Sequence, residues 1–175
     1  MKPQGVRSKA VANWFVENGL ENDRPVDHMK LHKLLYYAHG WHLTLSNGQP
    51  LLNEFIEAWD YGPVVPSVYH AFKEYGAGPI RAPTTDVRVV GSKLVFPKPT
   101  IADETDNEEE RRDLSEFLKE IWARYGKFSA IQLSQMTHRP GTPWHATRQQ
   151  VGSRRNADIS DELIEQYFKK LMVRE

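Results

Sequence analysis

The sequence predicts a mostly α-helical domain of the α+β kind, about six helices with one small β-hairpin, in a single domain spanning residues 1–175. Three observations carry this expectation. Apolar residues recur at helical spacing in six segments, Gly, Pro and Asn-Gly signals separate those segments, and one pair of β-branched runs flanks Gly91-Ser92. The 175 residues suit one compact domain and would cramp two.

Taken in order, Ser8 is placed to cap a first helix reaching about Asn18, with Val11, Ala12, Phe15 and Val16 facing inward and Gly19 ending it. Asp27 caps a longer helix to about Leu45. Its apolar positions Leu31, Leu34, Leu35, Ala38, Trp41 and Leu45 repeat at i, i+3, i+4 and i+7, and Asn47-Gly48 closes it. Phe55 to Tyr61 reads as a strand or extended segment. Pro66 opens a helix that carries Val68, Tyr69 and Phe72 and stops at Gly76. Residues 77–86 read as loop. Val87–Val90 and Lys93–Phe96 then pair across Gly91-Ser92, a type II′ hairpin signal.

Pro97 to Asp106 is an acidic connector. Asp106 with Glu109 resembles a capping box opening a helix through Leu114, Phe117, Leu118, Ile121, Trp122 and Tyr125, stopped by Gly126. Ser129 with Gln132 repeats that arrangement for a short helix to about Thr137. Residues 139–158 read as loop. Ser160 caps the last helix, about 160–173, whose apolar face is Leu163, Ile164, Tyr167, Phe168 and Leu171.

Composition excludes several function classes. Five Trp, seven Tyr and seven Phe with no net charge are not the makeup of a disordered chain. Lys plus Arg equals Asp plus Glu, 23 each, which disfavours a role resting on phosphate contacts, so nucleic acid is not an expected partner. Without cysteine there can be no disulfide framework, thiolate zinc site or Cys nucleophile. The start, Met1-Lys2-Pro3-Gln4-Gly5, has no apolar segment, and no run approaches the roughly 18–20 apolar residues of a spanning helix. A cytoplasmic protein without a membrane partner is expected.

Chemistry-bearing patterns are weak. His28, His32, His39 and His42 fall in a sector of roughly 80° on one helix, the crudest form of a metal site. No Glu follows His28 in the HExxH pattern, however, and His32 and His39 stand roughly 10 Å apart. Ser67 and His70 lack a nucleophile elbow, Gly76-Ala77-Gly78-Pro79 lacks the Lys-Ser/Thr of a phosphate loop, and Glu54, Glu57 and Asp60 have no sequence reason to share a pocket. Arg148, Arg154, Arg155, Lys169, Lys170 and Arg174 read as solvated surface. No catalytic residue, cofactor or metal is expected.

The informative stretch is Leu31 to Phe72, with Tyr36, Tyr37, Trp41, Trp59, Tyr61 and Tyr69. Adjacent helical residues point about 100° apart, so Tyr36 and Tyr37 cannot share one buried face; about two thirds of these rings are expected in the core and the rest at the surface or in a groove. Exposed Trp and Tyr are residues that anchor protein interfaces.

Lys30-Leu31-His32-Lys33-Leu34-Leu35-Tyr36-Tyr37-Ala38, Gly40-Trp41 and Pro50-Leu51-Leu52 lead into Ile56-Glu57-Ala58-Trp59-Asp60-Tyr61-Gly62-Pro63-Val64-Val65-Pro66 and Tyr69-His70-Ala71-Phe72. With Leu133-Ser134-Gln135-Met136-Thr137-His138 and Thr142-Pro143-Trp144, this order resembles the phage-associated Panacea domain of the SocA-like antitoxins over about residues 8–150. His39 departs from the glutamine more usual there. The resemblance implies an antitoxin that neutralises a cognate protein toxin by direct binding, some relatives acting as adaptors for an AAA+ protease; homo-oligomerisation stays open. The candidate partner-binding or fold-signature residues are Tyr37, Trp41, Trp59, Tyr61, Gly62, Pro63, Tyr69 and Trp144. Turn-building and partner contact are both open readings of Tyr61-Gly62-Pro63. A phage-encoded metal-dependent enzyme and a DNA-binding autorepressor are the alternatives.

Overall fold

A computed structural model describes residues 4–154 and 156–174; Met1 to Pro3 of the start, Arg155 of the basic group and Glu175 lie outside the described residues. The fold is mostly α, with seven α-helices among the described residues. In chain order they are α1 (Ser8–Glu21), α2 (His28–Leu45), α3 (Pro66–Phe72), α4 (Glu108–Tyr125), α5 (Ala130–His138), α6 (Pro143–Val151) and α7 (Asp161–Val173). Strands β1 (Ile56–Trp59), β2 (Gly62–Val64) and β5 (Asp158–Ile159) form an antiparallel sheet in the order β2-β1-β5. β3 (Arg88–Val90) and β4 (Lys93–Val95) form the separate hairpin, with Gly91 at φ +62° as a II′ turn requires.

Helix α2 is the axis of the molecule. It packs against α1, α3, α4, α5, α7 and β2, so it is covered on every side. Tyr36 and Tyr37 are both buried, 1% and 4% exposed, against the expectation that a helix would leave one of them near the surface. The 100° between them matters only for a helix with one core face, and α2 has several. Leu45, placed in the apolar stripe by periodicity, is exposed where the helix leaves the core.

Several boundaries differ from the sequence expectation for local reasons. α6 occupies residues read as loop: Thr142 caps it by accepting from His145 N, and Pro143 takes the first helical position. Ser8 lies inside α1, and Asn53 Oδ1 accepts from its amide in place of a cap. α1 runs past Gly19 to Glu21, and the Gly19 carbonyl accepts from Arg24 N at 2.7 Å. Asn107, one residue after Asp106, caps α4. The acidic connector holds a 3-10 turn, Ile101–Asp103, closed by Thr100 and Asp103. The caps at Asp27, Ser129 and Ser160 are as expected.

Two sheet strands fall outside the sequence reading. Trp59 pairs with Gly62 across a two-residue turn, Asp60-Tyr61, and Ala58 pairs with Pro63. A proline usually ends a strand, but β2 is an edge strand and spares the missing donor. β5, only two residues long, pairs with Ile56 and Glu57. By contrast the β3–β4 hairpin leaves Val87, Val89, Leu94 and Phe96 exposed. No described helix is long and apolar enough to cross a membrane.

α2 and α7 pack closely at Gly40. A methyl group at Gly40 would overlap the Phe168 ring, which also meets Tyr36, Tyr37 and Trp41 edge-on. Gly40→Ala is therefore expected to destabilise the protein by about 2 kcal/mol in urea unfolding, despite alanine's better helix propensity. Phe168→Leu in the Gly40→Ala background should cost less than Phe168→Leu alone. Equal costs in both backgrounds would contradict the contact.

Candidate functional site

A cleft of about 840 Å³ opens where the N-terminal end of α2, the β1–β2 turn, α3 and the start of α5 meet. Its floor comes from α2. Asp27 caps that helix by accepting from Lys30 N at 2.8 Å, which fixes its first turn and aims His28, His32 and Lys33 toward β2 and α3. Lys33 is 1% exposed, and its ammonium donates to the Pro63 carbonyl at 3.3 Å. Gly62 makes this possible in two ways. Its φ of +112° is a glycine conformation, and a Cβ there would stand 2.7 Å from Lys33 Cε.

His32 is 3% exposed and ties α2 to the chain leaving β2: its Nδ1 accepts from Val65 N at 3.1 Å. The neutral ring therefore carries its proton on Nε2, and Nε2 has no partner among the described residues. His28 Nε2 is likewise buried without one. The His28 ring stacks on Tyr69, centroids 5.0 Å apart, and lies 4.8 Å from the His32 ring.

The walls are aromatic and well braced. Trp59 tilts against Tyr69 at 4.7 Å and donates from Nε1 to Glu57 at 2.6 Å. From behind, Trp144 Nε1 donates to the Trp59 carbonyl at 2.7 Å, and the His138 ring packs on Trp144 at 4.0 Å. Arg148 donates to the Ala58 carbonyl and, at 2.8 Å, to Asp60. These bonds hold the β1–β2 turn so that Tyr61, 77% exposed, stands at the rim facing Ile131 and Met29.

Burial sets the electrostatics of the floor. Desolvation pulls the Lys33 ammonium down to about 7, with Asp27 opposing part of that fall. The same cause holds His32 well below the ordinary histidine range and lowers His28, so both rings are neutral at pH 7. The floor thus offers N–H donors and a partly charged amine beneath an apolar, aromatic wall.

Of the eight candidate residues, Trp59, Tyr61 and Tyr69 line this cleft, Gly62 and Pro63 shape its wall, and Trp144 supports it. Tyr37 and Trp41 lie elsewhere, in the core. Tyr37 stacks on Tyr125 at 4.1 Å, and Trp41 Nε1 donates to Tyr125 Oη at 2.7 Å. Sequence reasoning missed Lys33 as a site residue. Its signal was a lysine held between His32 and Leu34 in a helix apolar on nearly every side.

The remaining sequence candidates have local work to do. His39 accepts from Leu52 N and meets Asp161 at 2.9 Å, and His42 meets the Gln49 carbonyl at 2.8 Å, so the four histidines diverge. No three His, Asp or Glu side chains among the described residues are placed to hold a metal ion. Glu54 accepts from both the amide and the hydroxyl of Ser67 at the start of α3, well apart in role from Glu57 on Trp59. Arg148 is drawn into the cleft wall and Lys169 pairs with Glu165, which breaks up the basic C-terminal group.

Comparison with known proteins places this geometry. The family described as antitoxin SocA-like, Panacea domain, matches residues 31–145, which contain most of the cleft. The chain is 33% identical over 171 residues to the antitoxin SocA of Caulobacter vibrioides (strain NA1000 / CB15N), covering 95% of this chain and 85% of that protein.

The buried amine makes a testable demand on stability. Lys33 has a lower pKa folded than unfolded, where about 10 is usual, so the unfolded chain holds the extra proton between about pH 7 and pH 10. Stability therefore rises with pH across that window, and the penalty for burying the charge is complete below pH 7. Lys33→Met removes the dependence. Relative to this variant, the wild type should gain about 2 kcal/mol in urea unfolding between pH 6 and pH 9. A difference that does not change with pH would contradict the burial of a titrating amine.

Proposed function

Because the chain belongs to the SocA-like Panacea family of antitoxins, we propose that it is the antitoxin of a toxin–antitoxin pair and neutralises its cognate protein toxin by direct binding at the cleft. The observation that carries this reading is the rim: Tyr61, on a turn held by the Trp144 and Arg148 bonds, exposes aromatic surface beside the exposed apolar side chains of Ile131 and Met29. A rigid aromatic rim around a desolvated floor is the arrangement from which interface hot spots are built. The relative of established name, SocA, is itself an antitoxin. The role is one of binding, carried out in the cytoplasm where the toxin is made.

A second contact has its own observation in support. The apolar face of the β3–β4 hairpin, with Val89 and Leu94 paired across the strands, stays open while the cleft is filled. That face suits delivery of a captured toxin to an AAA+ protease. Net neutrality favours neither a nucleic-acid nor an acidic partner, so an autorepressor role has no support of this kind.

Co-expression with the product of the adjacent open reading frame tests the reading. That product alone is expected to arrest growth, and this chain to restore it. Tyr61→Ala combined with Ile131→Asp should weaken the complex at least tenfold in a pull-down titration while leaving the thermal midpoint within a few degrees, since both side chains are exposed. A neighbour harmless on its own, or one still toxic in the presence of this chain, would defeat the proposal.

A further inference from the structure

The floor of the cleft holds more hydrogen-bonding capacity than the fold uses. An ammonium has three donors, and Lys33 places one of them on the Pro63 carbonyl. His32, fixed by Val65 as the Nε2–H tautomer, has a buried donor with no partner among the described residues, and His28 Nε2 is also buried without a partner. Buried polar groups are costly when unpaired, so two unpaired ring nitrogens beside an ammonium with donors to spare, at one end of one cleft, point to a ligand that accepts.

We propose that Lys33 Nζ, His32 Nε2 and His28 Nε2 form a carboxylate pocket that receives one Asp or Glu side chain of the bound toxin. The proposal rests on the reading of the cleft as the toxin's contact surface. A carboxylate is acceptor-only, carries one negative charge and spreads it over two oxygens, which matches one ammonium beside the His32 ring donor, with the His28 ring free to adopt its Nε2–H tautomer. Trp59 and Tyr69 stand beside the floor and would pack on the aliphatic stem of such a side chain.

The surroundings select against a dianion such as phosphate. Asp27 and Asp60 line the same cleft. Asp27 keeps its charge while it accepts from the Lys30 amide, and it already acts on Lys33 through space, so a second negative charge on the ligand meets repulsion there; Asp60 is paired with Arg148. Arg148, which braces the wall, is already committed to the Ala58 carbonyl and Asp60, and no arginine is among the residues that line the cleft. A partly desolvated lysine kept in a core at a cost to stability is also what a binding site requires and a scaffold does not.

The test uses the full chain with acetate as the probe, read by NMR at the Lys33 ε-methylene and the His32 ring. Acetate is expected to bind saturably in the millimolar range, as its few heavy atoms permit, and methylammonium not at all. Phosphate should bind at least tenfold more weakly than acetate. Lys33→Met should abolish the acetate response and weaken toxin capture at least tenfold, and Glu or Asp to Ala changes in the toxin should find one position whose effect disappears in the Lys33→Met background.

No acetate response in the wild type, which needs no variant to fold, would overturn the pocket. Tighter binding of phosphate would overturn its assignment to carboxylates, and toxin capture unchanged by Lys33→Met would overturn its assignment to the partner. Failure of the antitoxin reading is separable from all of these: acetate would then bind while co-expression gives no protection.

Discussion

The structure depends on burying one helix on all sides. α2 has no solvent face along most of its length, so every polar group it carries needs an answer from a neighbouring element. His39 receives two, from Leu52 and Asp161, and so ties α2 both to the segment before β1 and to the start of α7. His32 receives one, from Val65, and Lys33 one, from Pro63; these hold the sheet edge against the helix. Trp41 is answered by Tyr125 on α4. The capacity left over gathers at the N-terminal end of α2, where the cleft lies.

This constraint links the two halves of the molecule's behaviour. Toward α7 the helix is closed tightly, with glycine at position 40 so that the Phe168 ring can lie against the backbone. Toward β2 it is held open by a turn whose glycine leaves room for a lysine. The first end is built for stability, and the second gives some of it up to keep an amine and two imidazoles beneath an aromatic wall.

Much of the fold was legible in the sequence because it is written locally. Asp27, Ser129 with Gln132, and Ser160 cap their helices by bonds that span three residues, and the Gly91-Ser92 turn needs nothing beyond its own backbone. What was not legible is written between distant segments. β2 contains a proline and is a strand only because β1 lies beside it, and β5 is two residues long. Thr142-Pro143 is a good helix start that a Pro- and Gly-containing context disguised.

The site divides in the same way. Trp59, Tyr61 and Tyr69 could be singled out from the excess of aromatics between Tyr36 and Tyr69. Tyr37 and Trp41 belonged to the same excess and turned out to be core, because periodicity reports the faces of a helix and not how many of them are covered. Lys33 and His32 acquire their meaning from Gly62, Pro63 and Val65, about thirty residues away, and no spacing rule connects them.

The central claim is that the toxin seats on the cleft rather than elsewhere on the surface. Hydrogen–deuterium exchange of this chain, with and without the product of the adjacent open reading frame, tests it most directly. The account predicts slowed exchange over residues 27–33, 59–69 and 130–134 in the complex, with the 87–96 hairpin unchanged. Protection confined to the hairpin, or a complex that leaves the cleft segments exchanging as they do in the free chain, would contradict it.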